Sequence, residues 1–254
     1  MGTLVEAVEK AFVKLRRKRV SWRIFQKHGG VVQRGPFVGL ALDGHSNVSK
    51  GPLAAKLFGL YEWAVIERIR ALGPFQDVLN LGAADGYFSL GLLKANLASR
   101  SICYEMTKQG REAIQRNAER NGVADSVVIK GVADEGIIND LPAIGFDPAN
   151  ALVLCDIEGG EFDVLTERLL EFLAPATLIV ELHDRIHSGE PNRRAEILGR
   201  LPPDVDYEVI RSVPPPWSGI EDIEALSDND RALVTSEGRR AIGEWLIVTP
   251  KAKS

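Results

Sequence analysis

The sequence predicts an α/β fold in which a doubly wound, mostly parallel sheet of seven strands ends in an antiparallel pair and is preceded by an N-terminal helical extension. Five short apolar runs alternate with stretches of helical periodicity, which is the pattern of repeated strand–helix units. These runs are apolar on both faces, as expected for strands covered by helices on either side. Two later runs, at residues 207–213 and 244–249, have no clear crossover helix between them and predict the antiparallel pair.

Each predicted element follows from its local pattern. The parallel strands are predicted at residues 77–81, 101–105, 126–130, 151–155 and 177–181, and the helices at 3–19, 53–71, 88–95, 110–121 and 161–173. We divide the chain into a helical extension, residues 1–73, and one domain over residues 74–254. A loop insertion at about residues 214–243 has the length of a lid or a binding loop.

The composition fits one large domain with a sizeable core, because the 254 residues are 45% hydrophobic. The two cysteines, Cys103 and Cys155, lie in apolar runs, which argues against a disulfide scaffold and indicates a cytoplasmic protein. No apolar run approaches the roughly 20 residues needed to cross a bilayer, and the first residues lack a signal-peptide pattern. We therefore expect no membrane span, and the composition leaves a homodimer open.

The net charge of −4 is unevenly distributed along the chain. Through Gly35 there are nine Lys and Arg against two acids, so this segment carries +7 and the remainder −11. The first helix ends in Arg16–Arg19, which is either a solvated basic helix end favoured by the helix dipole or a surface for nucleic acid or a phosphorylated partner. Twelve acids against one basic residue between Gly131 and Asp184 would repel a polyanion and argue against nucleic acid.

A glycine-rich loop, Asn80–Tyr87, follows the first predicted strand and opens a helix. Gly82 and Gly86 permit a tight turn and a close approach to a ligand, and Ala84 is nearly as small. About 23 residues beyond Gly82, Glu105 ends the second strand, where a carboxylate can accept both hydrogen bonds of a ribose diol. The pair predicts an adenosine-containing ligand, although such a glycine turn can also serve only to pack a helix on a strand.

Charge distinguishes the candidate ligands of this loop. Asp85 lies inside the turn, where it would repel a pyrophosphate and suit an ammonium group. The loop reads Gly82-x-Ala84-x-Gly86, which departs from the dinucleotide fingerprint. A cationic sulfonium compound, S-adenosylmethionine, is therefore predicted in preference to NAD.

Ionisable residues follow the later strands. Asp134 follows the third strand, where it can accept from an adenine amino group or cap a turn. Asp156 and Glu158 follow the fourth, and Glu181 and His183 close the fifth. Because the carboxyl ends of parallel strands share one edge of the sheet, and buried ionisable groups are costly without a role, we expect a site there. Glu161 could instead serve the dipole of the next helix.

The sequence resembles the class I S-adenosylmethionine-dependent methyltransferases and, within them, the FkbM-like group. The resemblance covers residues 77–184. It rests on Asn80–Phe88, Glu105, Val132–Asp134 and above all Asp156–Leu165. It implies a Rossmann-like methyltransferase fold and methylation of a hydroxyl group on a small molecule such as a sugar or a polyketide. Asn80 stands where many class I enzymes carry an acid, so the contact to the methionine ammonium group is expected from Asp85 or from water.

The predicted site has three parts. The cofactor residues are Asn80, Gly82, Ala84, Asp85, Gly86, Tyr87, Glu105 and Asp134. Asp156 and His183 are the catalytic candidates, with His183 as general base because its ordinary pKa lies near neutrality. His183 has a structural alternative, as a histidine bonded to Glu181 or Asp184. Asp156, Glu181 and His183 or Asp184 could also hold a divalent cation such as magnesium, which would lower the pKa of the acceptor hydroxyl.

The sequence leaves three functions open. The first is a small-molecule O-methyltransferase. The second is a methyltransferase that reaches RNA or protein through the basic N-terminal helix, although the residues after the fourth strand, Asp156–Gly159, lack the Asn/Asp-Pro-Pro-aromatic motif of nucleic-acid amino-methyltransferases. The third is a non-catalytic ligand-binding protein of the same fold.

Overall fold

The computed structural model describes residues 2–44, 52–134, 136–183, 193–237 and 242–252, with the backbone alone at residues 2–7. Seven strands form one central sheet: β1 (Phe75–Leu81), β2 (Ala98–Tyr104), β3 (Val127–Lys130), β4 (Ala151–Cys155), β5 (Thr177–Glu181), β6 (Val205–Arg211) and β7 (Glu244–Pro250). Their order across the sheet is β3-β2-β1-β4-β5-β7-β6. β1 to β5 pair in parallel, and β7 runs antiparallel to both β5 and β6. The predicted fold class, including the antiparallel pair, is confirmed.

Eleven helices are seen in the described part of the chain: α1 (Gly2–Lys27), α2 (Leu53–Leu57), α3 (Trp63–Leu72), α4 (Tyr87–Lys94), α5 (Lys108–Asn121), α6 (Ile137–Ala143), α7 (Glu161–Val164), α8 (Glu167–Leu173), α9 (Arg193–Gly199), α10 (Glu221–Glu224) and α11 (Asp228–Thr235). The single helix predicted over 53–71 is two helices, because the chain turns at Gly59 with φ +65°. The helix predicted over 161–173 also divides, since the Thr166 hydroxyl caps α8. The predicted loop at 214–243 contains α10 and α11.

α1 extends eight residues beyond its predicted end, and it is this last part that packs into the core, through Val20, Ile24 and Phe25. The described residues of the N-terminal segment pack into the same hydrophobic core as one face of the sheet, with Leu40, Leu42, Leu57, Ile66 and Ile69 at most 2% exposed. The opposite face of the sheet forms a second core with α6, α7, α8 and α9. No helix within the described ranges has both the length and the apolar composition to cross a bilayer.

Part of the basic charge on α1 makes contacts inside the protein. Arg16 donates hydrogen bonds of 2.8 and 2.7 Å to the two carboxylate oxygens of Asp230 on α11. Arg17 donates to the carbonyl oxygen of Leu233, and Lys27 pairs with Asp222 on α10. These contacts fasten α1 to the helices between β6 and β7, a role that neither interpretation of the basic run predicted.

The loops after β1 and β4 approach each other at Gly82. Its φ is +87°, and a Cβ at this position would lie 1.8 Å from the carbonyl oxygen of Asp156. The Asp156 amide also donates to the carbonyl oxygen of Leu81, at 3.0 Å. Glycine is therefore required at position 82 both by its conformation and by the backbone in front of it.

We expect Gly82→Ala to destabilise the protein by about 3 kcal/mol or more, because the two loops must separate to admit a methyl group. Gly39→Ala is a matched control, since Gly39 has φ +85° and a Cβ added there would meet nothing within 4 Å. The control isolates the conformational cost, which we expect to be about 1–2 kcal/mol. Urea unfolding of both variants measures the difference. Equal losses would show that the contact with Asp156 contributes nothing.

Candidate functional site

A cavity of about 530 Å³ opens at the carboxyl ends of β1, β2 and β4. It lies beside the point where the strand order reverses, between β1 and β4, which is where open α/β sheets bind ligands. The glycine loop, the residues after β2 and β4, and Val132–Ala133 after β3 line it. Three residues of the N-terminal segment, Pro52, Lys56 and Tyr61, and Trp245 of β7 complete the wall.

The glycine loop is held against β2. The amides of Gly82 and Ala83 both donate to the carbonyl oxygen of Tyr104, at 2.9 and 3.0 Å. Ala84 adopts φ +52° and Gly86 φ +83°, so the loop turns twice through the left-handed region before α4 begins. This places the predicted loop residues Gly82, Ala84 and Asp85 on the cavity wall.

Glu105, which follows β2, lines the cavity beside this loop and is fixed by its neighbours. Its Oε2 accepts from the Ala84 amide at 3.0 Å, and its Oε1 accepts from the amide and hydroxyl of Thr107, at 2.8 and 2.6 Å. Gly110 allows α5 to begin close by, since a Cβ there would meet the Glu105 side chain at 2.5 Å. The carboxylate is 7% exposed and preorganised before any ligand binds.

Asp85 has a partner that the sequence did not reveal. Both of its carboxylate oxygens lie 2.9 Å from the Nζ atom of Lys56, in a pair that is almost fully buried. The rings of Tyr87 and Tyr61 face the same ammonium group, with centroids 4.9 and 5.3 Å away. The negative charge expected inside the turn is thus compensated by Lys56 of α2.

Two other predicted cofactor residues are buried on the cavity wall. Asn80 donates from Nδ2 to the hydroxyl oxygen of Ser89 at 2.9 Å, which fixes its amide. The Tyr87 hydroxyl donates to the carbonyl oxygen of Lys56 at 3.3 Å. Burial, reinforced by the charge of Asp85, raises the pKa of Tyr87, so its hydroxyl remains protonated.

Asp134 adopts the turn-capping arrangement that the sequence left as its alternative. Its Oδ1 accepts from the Gly136 amide at 2.8 Å, and the side chain is exposed. Among the described residues that follow β3, Val132 and Ala133 line the cavity instead of Asp134. Asp134 therefore lies outside the cavity wall in this structure.

Glu161 is fully buried and holds His183, instead of serving only the dipole of α7. Its Oε2 accepts from the Gly159 amide at 2.8 Å, and its Oε1 accepts from the His183 amide at 2.9 Å. The same oxygen lies 3.1 Å from His183 Nδ1. Because a carboxylate only accepts, this hydrogen bond requires a proton on Nδ1 and directs Nε2 toward the other acids. The structural partner of His183 is thus Glu161; Glu181 is farther away, and Asp184 lies outside the described residues.

A group of potential metal ligands lies at the ends of β4 and β5. One donor atom each of Asp156, Glu158 and His183 lie within 4.8 Å of one another. Nε2 of His183 is 3.9 Å from Asp156 and 3.7 Å from both Glu158 and Glu181. The structure therefore adds Glu158 to the residues predicted for a cation, and Glu181 lies next to His183. Glu158 has φ +54°, a strained conformation for a glutamate.

Burial lowers the pKa of His183, but the hydrogen bond to Glu161 and the charges of Glu161, Asp156 and Glu158 together raise it above its ordinary value. The side chain is 8% exposed and lies behind Asp156 and Glu158, which themselves line the cavity. A positive charge is thus favoured at the ring, which is the opposite of what a free general base at neutral pH requires.

Several residues of this site have no signal in the local sequence. Lys56 and Tyr61 lie in the N-terminal segment, and Trp245 lies on the last strand. Trp245 lies in a run of residues typical of any strand, and the order of the strands in the sheet brings it near the cavity. The Asp156–Glu161 motif singled out Glu158 and Glu161, but not their contacts.

Comparison with known proteins identifies the fold. No family model matches the sequence, and no curated protein matches it significantly. Among solved structures, the O-methyltransferase from Bacillus cereus, in complex with S-adenosylhomocysteine, is 12% identical with a TM-score of 0.51 over 76% of this chain and 80% of that one. The O-methyltransferase TomG from Streptomyces achromogenes, in complex with S-adenosylmethionine and involved in tomaymycin synthesis, is 15% identical with a TM-score of 0.50 over 84% and 93%. The matches also include the m1A22 tRNA methyltransferase TrmK from B. subtilis, at 10% identity and a TM-score of 0.45 over 74% and 65%. At these identities the likeness shows that the chain has the Rossmann-like methyltransferase fold.

Proposed function

We propose that this protein is an S-adenosylmethionine-dependent O-methyltransferase that acts on a hydroxyl group of a small molecule. One observation carries the proposal: a preorganised Glu105 carboxylate, hydrogen-bonded to the glycine loop at Ala84, in a cavity whose remaining charge is negative. Once Lys56 and Asp85 cancel, the charged side chains of the described lining are Glu105, Asp156 and Glu158. Such a wall attracts a sulfonium cation and repels a diphosphate. The cofactors held by the two O-methyltransferases of this fold agree with this choice.

In this proposal the cofactor lies against the wall that the glycine loop and Glu105 form together. Glu105 accepts from the ribose diol, and Gly82 and Ala84 allow the ligand to approach the backbone. Gly86 is outside the described lining of the cavity and serves the turn into α4. Asn80, Asp85 and Tyr87 shape the inner wall, with Asp85 acting through its pair with Lys56. Asp134 would have to leave its turn-capping contact to meet the adenine, so its part in cofactor binding is the weakest of the set.

The acceptor side is formed by aromatic residues. Tyr61, Phe88 and Trp245 line the cavity. The indole Nε1 of Trp245 is buried and has no hydrogen-bond partner among the described residues. An acceptor with a ring to pack on these side chains and an oxygen to accept from the indole would satisfy both features. This supports a hydroxylated cyclic molecule as the substrate.

Catalysis would rest mainly on positioning, because the sulfonium already activates the methyl carbon for in-line attack. The acceptor hydroxyl must lose its proton near the transition state. Asp156 lines the cavity with a carboxylate that is 32% exposed, and His183 lies immediately behind it. We assign the proton to this pair, with Asp156 in contact with the acceptor and His183, fixed by Glu161, as its support.

The residues present also fit a divalent cation. Asp156, Glu158 and His183 form a mixed oxygen and nitrogen donor set that faces the cavity through Asp156 and Glu158. We propose that these three residues, with Glu181 beside them, would hold a cation such as magnesium. A bound cation would lower the pKa of a hydroxyl group in contact with it.

Two further points belong to the same proposal. We place the protein in the FkbM-like group on the basis of the Asp156–Leu165 segment. We also place it in the cytoplasm, in keeping with two free buried cysteines.

Calorimetry tests the cofactor assignment. We expect the protein to bind S-adenosylmethionine and not NAD, and Glu105→Gln to weaken binding about 30-fold, or about 2 kcal/mol, because one charge-assisted hydrogen bond to the ribose is lost. Glu112→Gln on the exposed side of α5 is the control and should bind as the wild type does. Binding of NAD in place of S-adenosylmethionine would contradict the proposal. Binding of neither ligand would favour a non-catalytic protein of this fold.

A double-mutant cycle tests the buried pair. We expect Lys56→Met and Asp85→Asn each to cost about 3 kcal/mol of unfolding free energy, because each leaves a buried partner uncompensated. The double variant should lose much less than the sum of the two. Lys108→Met breaks an exposed pair with Glu112 and should cost less than about 0.5 kcal/mol. Additive losses at positions 56 and 85 would mean that the pair does not form.

Manganese binding, followed by electron paramagnetic resonance, tests the cation site without an assay of activity. We expect Mn²⁺ to bind and magnesium to compete with it, and Glu158→Gln to weaken binding about tenfold or more because one charged ligand is removed. Glu167→Gln on α8 is the control, since it removes the same charge from a different helix. Wild-type binding by Glu158→Gln, or turnover undiminished by a chelator, would exclude this site as part of the reaction.

A further inference from the structure

α1 presents an apolar stripe to solvent along its first half. Val8, Phe12 and Leu15 are 61%, 68% and 65% exposed. Their spacing of four and three residues places them on one face of the helix. The residues that α1 buries, Val20, Ile24 and Phe25, are turned by roughly 110–150° about the helix axis from the centre of the stripe. The stripe is therefore turned away from the face that α1 buries, although Phe12 also lines, with Arg16, a groove against α11.

Basic side chains surround this stripe. By helical position, Lys14 and Lys18 lie on one side of the stripe, and Arg16 and Arg23 lie on the other. Arg19 lies in line with the stripe, toward the C-terminal end of α1. Arg16, Arg19 and Arg23 also line a small cavity of about 130 Å³ together with Val20. Arg16 is held by Asp230, so Arg19 and Arg23 are the guanidinium groups of this arginine cluster that suit phosphate oxygens.

We propose that α1 binds the surface of an anionic phospholipid bilayer, with Val8, Phe12 and Leu15 among the acyl chains and the arginine cluster at the headgroup phosphates. An amphipathic helix with large apolar side chains on one face and Lys and Arg beside them lies in the plane of such an interface. This is a surface contact, separate from the methyl-transfer site and independent of the proposed function.

Charge and shape favour this occupant over two others. A second copy of α1 laid on the stripe would bring Lys and Arg against Lys and Arg. RNA would use the arginines but would leave Val8, Phe12 and Leu15 without a partner. The remainder of the chain, at a net −11, is repelled by an anionic surface, so contact is confined to the α1 face.

Vesicle flotation of the full chain tests the proposal, with phosphatidylcholine vesicles that contain or lack phosphatidylglycerol. We expect binding only when phosphatidylglycerol is present. Arg19→Gln with Arg23→Gln should weaken it about 20-fold, since each charge near the surface contributes about fivefold. Phe12→Ser with Leu15→Ser should weaken it about tenfold or more. These four side chains are exposed, and circular dichroism checks that the variants fold.

Matched controls remove similar groups elsewhere. Lys94→Gln with Arg120→Gln removes two charges, and Val38→Ser with Val213→Ser removes two exposed apolar side chains; both should bind as the wild type does. The proposal fails if the wild type does not float with anionic vesicles. It also fails if the apolar variant binds normally, because charge alone would then be responsible, as for RNA. A dimer in analytical ultracentrifugation that Phe12→Ser with Leu15→Ser dissociates would assign the stripe to a second copy and overturn the proposal. Calorimetry with S-adenosylmethionine tests the methyl-transfer site separately, because none of these variants changes a residue that lines its cavity.

Discussion

The buried ion pair between Lys56 and Asp85 joins the N-terminal segment to the glycine loop. Both side chains are almost fully buried, so neither charge is tolerable without the other. The two tyrosine rings beside the ammonium group and the hydrogen bond from Tyr87 to the backbone of Lys56 fix the arrangement. α1 packs on α2, which carries Lys56, so the segment before β1 supplies part of the cavity and of the core.

This pair changes the electrostatic reason for expecting a sulfonium cofactor. A free carboxylate in the turn was the expected attraction, but Asp85 is neutralised by Lys56. The negative character of the cavity comes instead from Glu105, Asp156 and Glu158, which follow β2 and β4. The preference for a cation over a diphosphate is kept, and its source moves from the loop to the strand ends. Residual charge in a cavity depends on which side chains are paired, and a local sequence pattern does not show the pairing.

The sequence predicts the strands of the sheet, but it does not predict the contacts between segments that are distant along the chain. Strands such as 151–155 and 177–181 are apolar on both faces, and that pattern is local, so their bounds could be predicted to the residue. Glu105 was also accessible, because its place is set by distance from the glycine loop. Lys56 and Trp245 depend on how distant segments pack, and nothing in their own neighbourhoods distinguishes them from surface or core residues. The sequence draws attention to Glu161, but not to its contact with His183. Asp134 is a residue after a predicted strand that does not line the cavity, because its carboxylate accepts a hydrogen bond within its own turn.

The solved O-methyltransferases share the fold with this chain at only 12% and 15% identity. In our proposal the acceptor wall includes Tyr61 of the segment before β1 and Trp245 of β7. A fold fixes the place where a methyl group is presented, whereas the side chains around that place decide which oxygen reaches it. We therefore infer that acceptor specificity in this protein is set by the N-terminal segment and β7, and that variants at Tyr61 and Trp245 would alter the acceptor KM while leaving the affinity for the cofactor unchanged.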